Sequence, residues 1–308
     1  MKANNLILVP LDFSNKSMLA FKQAKYLAKI SKSEIMLLNV IPSDNSTFSF
    51  IQSLFTDHDK DALFQKLEKE IQAKLDAIIS EHSSEELIIK SMIVQGKVYE
   101  EVTKASVELS CNYIVLGVNN TNDHENQALG TNAYRIVRSS EVPVLTVNNK
   151  IFEDLKTVIL PLDLTKETRQ KVKKAMDIAS FTGAKIKLVS VLLTDDKSVY
   201  YKLRNQMDKV EKDIFDNYGN VTSDFVIGDE KENTLGGLIM NYAVENDGDL
   251  IVIMTQQEQK WLKMFVGTTA MDVIYNSKIP VLSAVPNDDH ELTQVFTSMI
   301  GAFDSRKK

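Results

Sequence analysis

Residues 112–149 read NYIVLGVNNTNDHENQALGTNAYRIVRSSEVPVLTVNN, and their order decides the fold. The apolar run Tyr113-Ile114-Val115-Leu116 ends in Gly117, and a polar loop follows with no apolar pattern until Ala128-Leu129. Gly130-Thr131 then opens a segment with apolar residues at Ala133, Ile136 and Val137, the spacing of one helix face. Pro143-Val144-Leu145-Thr146-Val147 reads as a second buried strand. Strand, glycine, loop, glycine-hydroxyl, helix is the arrangement by which an open α/β sheet presents backbone N–H groups to a phosphate.

Working outward, the residues before this stretch alternate in the same way. Leu6-Ile7-Leu8-Val9 is continuously apolar, as a strand buried on both faces must be, and Pro10-Leu11-Asp12-Phe13-Ser14 breaks it. Ser17 is placed to cap a helix carrying Met18, Phe21, Ala24, Tyr26, Leu27 and Ile30 mostly on one face. Ile35 to Ile41 is a second strand, Asp61 to Ile79 a helix, Leu87 to Val94 a third strand and Val98 to Leu109 a helix. The first half is therefore β-α-β-α-β-α-β-α-β, a doubly wound parallel sheet.

The pattern then starts again. Val158-Ile159-Leu160-Pro161-Leu162-Asp163 repeats the first strand and its break, and Lys185 to Val191 repeats the second strand. Asp249 to Met254, Gly267-Thr268 and Pro280-Val281-Leu282 repeat the opening stretch. Pro161 follows Pro10, and Val191 follows Val40, by 151 residues, whereas Gly267 follows Gly130, and Pro280 follows Pro143, by 137. The first half thus carries fourteen extra residues between its second and fourth strands, assigned to an insertion at about 43–60. The expected organisation is a first domain over 1–150, a second over 151–286 and a helical tail over 287–308. The tail's Leu292, Val295, Phe296, Met299, Ile300 and Phe303 share a helical face, which suits docking on its own protein or on a partner. The insertion's Phe48, Phe50, Ile51, Leu54 and Phe55 suit either a lid or simple packing.

Composition narrows the function. The 308 residues hold 36 Lys+Arg against 42 Asp+Glu, a net charge of −6, which argues against general nucleic-acid binding. No run reaches the roughly 18 apolar residues of a membrane span, and the apolar run of the N-terminus is too short for a signal peptide. A single cysteine, Cys111, fits a reducing compartment, and beside an apolar strand it reads as a buried, inert thiol. The expected location is the cytoplasm.

In an open parallel sheet, ligands sit outside the carboxyl ends of the strands, at the point where the connections reverse direction. If the first and fourth strands are neighbours, Asp12 offers a carboxylate there to a ribose hydroxyl or an adenine edge. Gly117 and the Gly130-Thr131 helix start offer bare backbone and a hydroxyl to phosphate oxygens.

With these residues in view, the chain resembles the universal stress proteins in their tandem two-domain form. Val9, Pro10, Asp12 and Ser14 match that family's V-P-x-D-x-S motif, and Leu37-Leu38-Asn39-Val40 its L-L-x-V second strand. The family's nucleotide signature is Gly, two residues, Gly, nine residues, Gly, then Ser or Thr. It corresponds to Gly117, Asn120 in place of the second glycine, and Gly130-Thr131. Pro143 to Val147 matches the closing P-V-L-x-V.

The resemblance implies two domains, each with a five-stranded parallel sheet in the order 3-2-1-4-5. It implies pairing through the last strands, as a pseudo-dimer within the chain or as a homodimer. It also implies a stress-response protein holding an adenine nucleotide (AMP, ADP or ATP, with Mg2+) at Pro10, Asp12, Val40, Gly117, Asn120, Gly130, Thr131 and Asn132. The departures grade this expectation. The loop Thr121 to Leu129 carries Asp123 and Glu125 but no Lys or Arg, which favours AMP or ADP over ATP. Arg135 and Arg138 read as solvated surface or domain contact. In the second half, Met254 and Gln257 replace both early glycines, so that half reads as structural.

Catalysis finds little support. None of the four histidines, His58, His82, His124 and His290, has metal-ligand spacing, and the Gly-Lys-Ser/Thr of a P-loop is missing. The reading is of a protein that is not an enzyme, with no catalytic residue and no protein-bound metal. Slow ATP hydrolysis is a weaker alternative. The competing reading is a scaffold that holds a protein partner or lipophilic ligand through the insertion and the tail.

Overall fold

The structure, a computed structural model, describes residues 5–43, 60–118, 131–164, 168–194, 196–229, 232–254 and 268–284. In the first half, strands β1 (Leu6–Pro10), β2 (Glu34–Pro42), β3 (Ile89–Gly96), β4 (Tyr113–Gly117) and β5 (Val144–Val147) alternate with helices. These are α1 (Asn15–Ser31), α2 (Lys60–His82), α3 (Val98–Glu108) and α4 (Thr131–Ser139). The second half repeats them as β6 (Thr157–Pro161), β7 (Lys185–Leu192), β8 (Val221–Ile227), β9 (Leu250–Met254) and β10 (Val281–Ala284). Its helices are α5 (Thr168–Ser180), α6 (Lys197–Asn217), α7 (Leu235–Glu245) and α8 (Thr268–Asn276). No helix among the described residues is long and apolar enough to cross a membrane. Most of the insertion, and the whole tail over 287–308, lie outside the described residues.

Each half has the expected strand order 3-2-1-4-5, and the two sheets join into one of ten strands, β3-β2-β1-β4-β5-β10-β9-β6-β7-β8. The joint is the antiparallel pair β5–β10, with Leu145 opposite Leu282. It is nearly two-fold symmetric. The Thr146 hydroxyl donates to the Val281 carbonyl and the Ser283 hydroxyl to the Val144 carbonyl, both at 3.1 Å. Pairing these strands removes two exposed sheet edges, the liability that a half alone would carry.

Period-2 alternation sends Ile7 and Val9 to one face of the sheet, with Phe21, Ala24 and Leu27 of α1 and Leu75 of α2. Leu6 and Leu8 go to the other face, with Val102 of α3 and Ile136 of α4. The helix face read from Phe21, Ala24 and Leu27 is therefore the buried one. The start of α1 differs from expectation. Ser14, not Ser17, is the N-cap, accepting from the Ser17 N–H at 3.3 Å. Ser17 lies in the first turn and donates its hydroxyl back to the Ser14 carbonyl.

The duplication extends to backbone strain. Phe13 (φ 63°) and Leu164 (φ 58°), 151 residues apart, both take the left-handed conformation that apolar side chains rarely adopt. Ser110 (φ 52°) and Asp247 (φ 51°) do the same, 137 apart, and Lys32 (φ 52°) matches Gly183 (φ 74°). The insertion is larger than the net offset suggests. Strand register pairs Val40 with Val94 and Val191 with Val226, so the offset falls from 151 at the second strands to 132 at the third. Nineteen residues are therefore extra between β2 and β3. The offset returns to 137 at Leu235 and Val98, so five residues are extra between β8 and α7. The fourteen read from the sequence is the difference of these two.

Candidate functional site at the carboxyl ends of the first-domain strands

β1 lies between β2 and β4, and the chain leaves it toward β2 but later crosses back to β4. Pro10 ends β1, Asp12 follows two residues on, Val40 is near the end of β2 and Gly117 ends β4. The structure thus brings these four to one end of three adjacent strands, where the winding reverses. Thr131 and the exposed Asn132 open α4 above β4. Asn120 and Gly130 lie outside the described residues.

Asp12 is exposed, and its Oδ1 accepts the Ser14 N–H at 3.0 Å. Partial burial pushes its carboxyl up, but hydrogen bonds from Ser14 and Ser17 outweigh this and hold it below the ordinary carboxylate range. It is therefore anionic at neutral pH and forms no ion pair among the described residues. The strained Phe13 turns the chain sharply between Asp12 and the helix cap. Asn39, buried in β2, steadies the turn by donating to the Leu11 carbonyl at 2.7 Å.

Gly117 has a second reason to be glycine. A Cβ there would overlap the carbonyl of Lys16 in the first turn of α1, so the close approach of β4 to that turn requires a bare backbone. Lys16 itself is a cation that sequence reading missed. Its Nζ donates to Asn148 O (2.6 Å), Asn148 Oδ1 (3.1 Å) and Asn149 Oδ1 (2.7 Å). Desolvation pushes its pKa down, and all three donors are used on neutral oxygens. Asn148 in turn donates to the Tyr275 and Ser277 carbonyls of the second half. Lys16 thus fastens the site's helix to the domain joint.

The second half presents the same frame with its centre filled. Asp163 stands 151 residues after Asp12, but Lys171 Nζ lies 2.9 Å from its Oδ1. Lys171 is 9% exposed and occupies the position of the fully buried Ala20. A lysine in the apolar stripe of α5, where the first copy has alanine, is the signal that could have found it. At the Gly117 position stands Met254, also 9% exposed.

Of the two arginines read as surface or domain contact, Arg138 reaches the joint. It donates to the Tyr134 hydroxyl at 3.2 Å, and the Tyr134 ring stacks on Tyr275 of the second half at 6.4 Å. Arg135 does not: its guanidinium lies 4.9 Å above the Tyr99 ring, at the start of α3. Cys111 is buried, and burial pushes its thiol up to about 12, so it is protonated and unreactive.

Comparison with known proteins settles the family. The model of the universal stress protein family matches residues 4–148 and again residues 154–284. The chain belongs to the universal stress protein family. It carries two tandem copies of the family's domain. Universal stress protein MJ0577 of Methanocaldococcus jannaschii is 27% identical over 153 residues, 47% of this chain and 94% of that protein. Universal stress protein G of Shigella flexneri is 27% identical over 147 residues, covering 46% of this chain and 96% of its own. Among solved structures, a universal stress protein from Archaeoglobus fulgidus matches 92% of this chain and 99% of its own, with TM-score 0.72 and 19% identity. A functionally unknown protein from Pseudomonas aeruginosa matches 99% of each chain, with TM-score 0.61 and 16% identity. At these identities the structural likeness concerns the fold, and it runs through both halves.

Proposed function

We propose that this universal stress protein is a non-catalytic, cytoplasmic stress-response protein whose first domain, over 1–150, binds an adenine nucleotide. Its second domain, over 151–286, is the structural half of an intramolecular pair. The binding residues are Pro10, Asp12, Val40, Gly117, Asn120, Gly130, Thr131 and Asn132. Asp12 takes the ribose or adenine edge, Val40 the base, and the glycine loop and α4 start take the phosphates. AMP or ADP fits better than ATP, because the loop brings carboxylates and no cations. Mg2+, where it accompanies the phosphates, offsets part of that repulsion.

The observation that carries this reading is the contrast at one carboxylate. Asp12 is exposed, anionic and in no ion pair among the described residues, whereas Asp163 is neutralised by a nearly buried lysine. Both carboxylates reach solvent, but Asp12 offers an uncompensated charge to a ligand hydroxyl, whereas the charge of Asp163 is offset by Lys171 on its Oδ1. The test is equilibrium dialysis of unfolded and refolded protein against labelled AMP, ADP and ATP, with phosphate release followed in parallel. About one nucleotide per chain with no release above background is expected, and no binding at millimolar ligand rejects the reading.

A further inference from the structure

The corner beside the proposed site, where α3 and α4 start, holds a charge arrangement that the family motif does not include. These helices pack side by side and begin at the carboxyl ends of β3 and β4. Tyr99 is half-buried there, against the same apolar cluster as Val40. Arg135, exposed on the first turns of α4, lays its guanidinium 4.9 Å over the Tyr99 ring. A neighbouring acid is already engaged: Glu100 Oε1 accepts from Lys97 Nζ at 3.0 Å and from the Tyr99 hydroxyl at 2.7 Å. Arg135 forms no ion pair among the described residues. The Lys97 charge is offset by Glu100, which leaves Arg135 as the uncompensated cation of this corner among the described residues.

The second domain reverses this corner. At the offset of 137, Gly236 replaces Tyr99 and Asp272 replaces Arg135. The Asp272 carboxylate packs on Gly236, where a Cβ would collide with it, and it accepts from Asn276 at 2.7 Å. The contact between the two helix starts is thus kept while its sign is inverted.

A cation–π contact uses no N–H donor, so a guanidinium held over a ring keeps its donors for an anion, and the contact removes part of the freedom that anion binding would otherwise cost. Planar paired donors match the oxygens of a phosphate monoester. We infer that Arg135, pre-oriented by Tyr99, supplies the cation for the ligand's phosphate that the loop itself lacks. This rests on nucleotide binding in the first domain, as proposed above. It makes Arg135 the residue that selects a phosphorylated nucleoside over the bare nucleoside.

The experiment is calorimetric titration of full-length protein with AMP and with adenosine, comparing wild type, Arg135→Gln, Arg135→Lys and Arg138→Gln. Arg135→Gln should weaken AMP about tenfold and leave adenosine unchanged, as expected for one charge-assisted contact. Arg135→Lys should recover part of the loss, and Arg138→Gln should match wild type. Wild-type AMP affinity should also fall more steeply with salt than that of Arg135→Gln. If wild type binds AMP and Arg135→Gln binds it equally, the inference is overturned while nucleotide binding stands. An equal loss for AMP and adenosine would mark Arg135 as structural and overturns it too. A wild type that binds neither ligand removes nucleotide binding and this inference together.

Discussion

The two domains share a strand order, their backbone strain and their helix contacts, and differ at the points where a ligand would meet them. In the first, the carboxylate after the first strand is exposed and in no ion pair among the described residues, the fourth strand ends in glycine, and the neighbouring corner is basic. In the second, Lys171 closes the carboxylate, Met254 fills the glycine position and the corner is acidic. Symmetry is kept where the fold needs it, at the β5–β10 joint and at the left-handed turns. It is lost at Asp12, Gly117 and Arg135, whose counterparts are an ion-paired Asp163, Met254 and Asp272.

The first comparison separates the two aspartates. Asp163→Ala leaves the nearly buried Lys171 without its partner and should destabilise the protein by about 1–2 kcal/mol in urea unfolding, less than a fully buried pair because Asp163 itself reaches solvent. Asp12→Ala removes only an exposed turn contact and should cost less than about 1 kcal/mol. Equal losses would break the contrast. Next, Gly117→Ala should cost about 2 kcal/mol, because the added methyl meets backbone and not a side chain that can swing away. Met254→Ala should cost a similar amount for the opposite reason, an unfilled space. A neutral Gly117→Ala would mean that β4 and α1 can move apart.

A third comparison uses positions 26 and 177, also 151 apart. The Tyr26 hydroxyl accepts the Leu155 N–H at 3.1 Å, but Asp177 Oδ2 is buried without a hydrogen-bond partner among the described residues. Burial raises the Asp177 pKa, so its ionisation opposes folding. That cost is absent below the unfolded pKa of about 4 and grows as pH rises toward the folded value. Asp177→Asn should therefore raise Tm at pH 7, by an amount that shrinks toward pH 4. Asp12 has the opposite sign. Its lowered folded pKa stabilises above about pH 4, and that stabilisation is lost as pH falls through the folded value. A pH-independent Asp177→Asn effect would show that the group is not ionised in the fold. The smallest effect is at the left-handed pair: Ser110→Gly and Asp247→Gly should each stabilise by about 0.5 kcal/mol, strain relief slightly exceeding the entropy of glycine.

Much of this was legible in the sequence, because apolar runs and helical stripes are the same forces that build the sheet. The duplication follows from the repeated strand-loop-helix pattern, whereas the strand order comes from the family resemblance, and with it the end of the sheet that carries Pro10, Asp12, Val40 and Gly117. What was not legible depends on contacts between elements. Net offsets hide compensating insertions, so nineteen extra residues against five read as fourteen. Lys171 follows Asp163 by only eight residues, and although its place in an apolar stripe marks it as unusual, its partner appears only when the start of α5 is folded beside Asp163. Gly117 was read as clearance for a phosphate, and its packing against Lys16 appears only when β4 and α1 are side by side. The Arg135–Tyr99 stack joins residues 36 apart in the chain, beyond the reach of any local pattern.

The most direct test of the divergence is nucleotide stoichiometry in three proteins: wild type, Asp12→Ala and Asp163→Ala, each titrated with labelled AMP at matched protein concentration and a temperature where all are folded. About one AMP per chain is expected for wild type and for Asp163→Ala, with binding lost or severely weakened in Asp12→Ala. Binding that survives in Asp12→Ala but disappears in Asp163→Ala would place the site in the second domain and contradict the account.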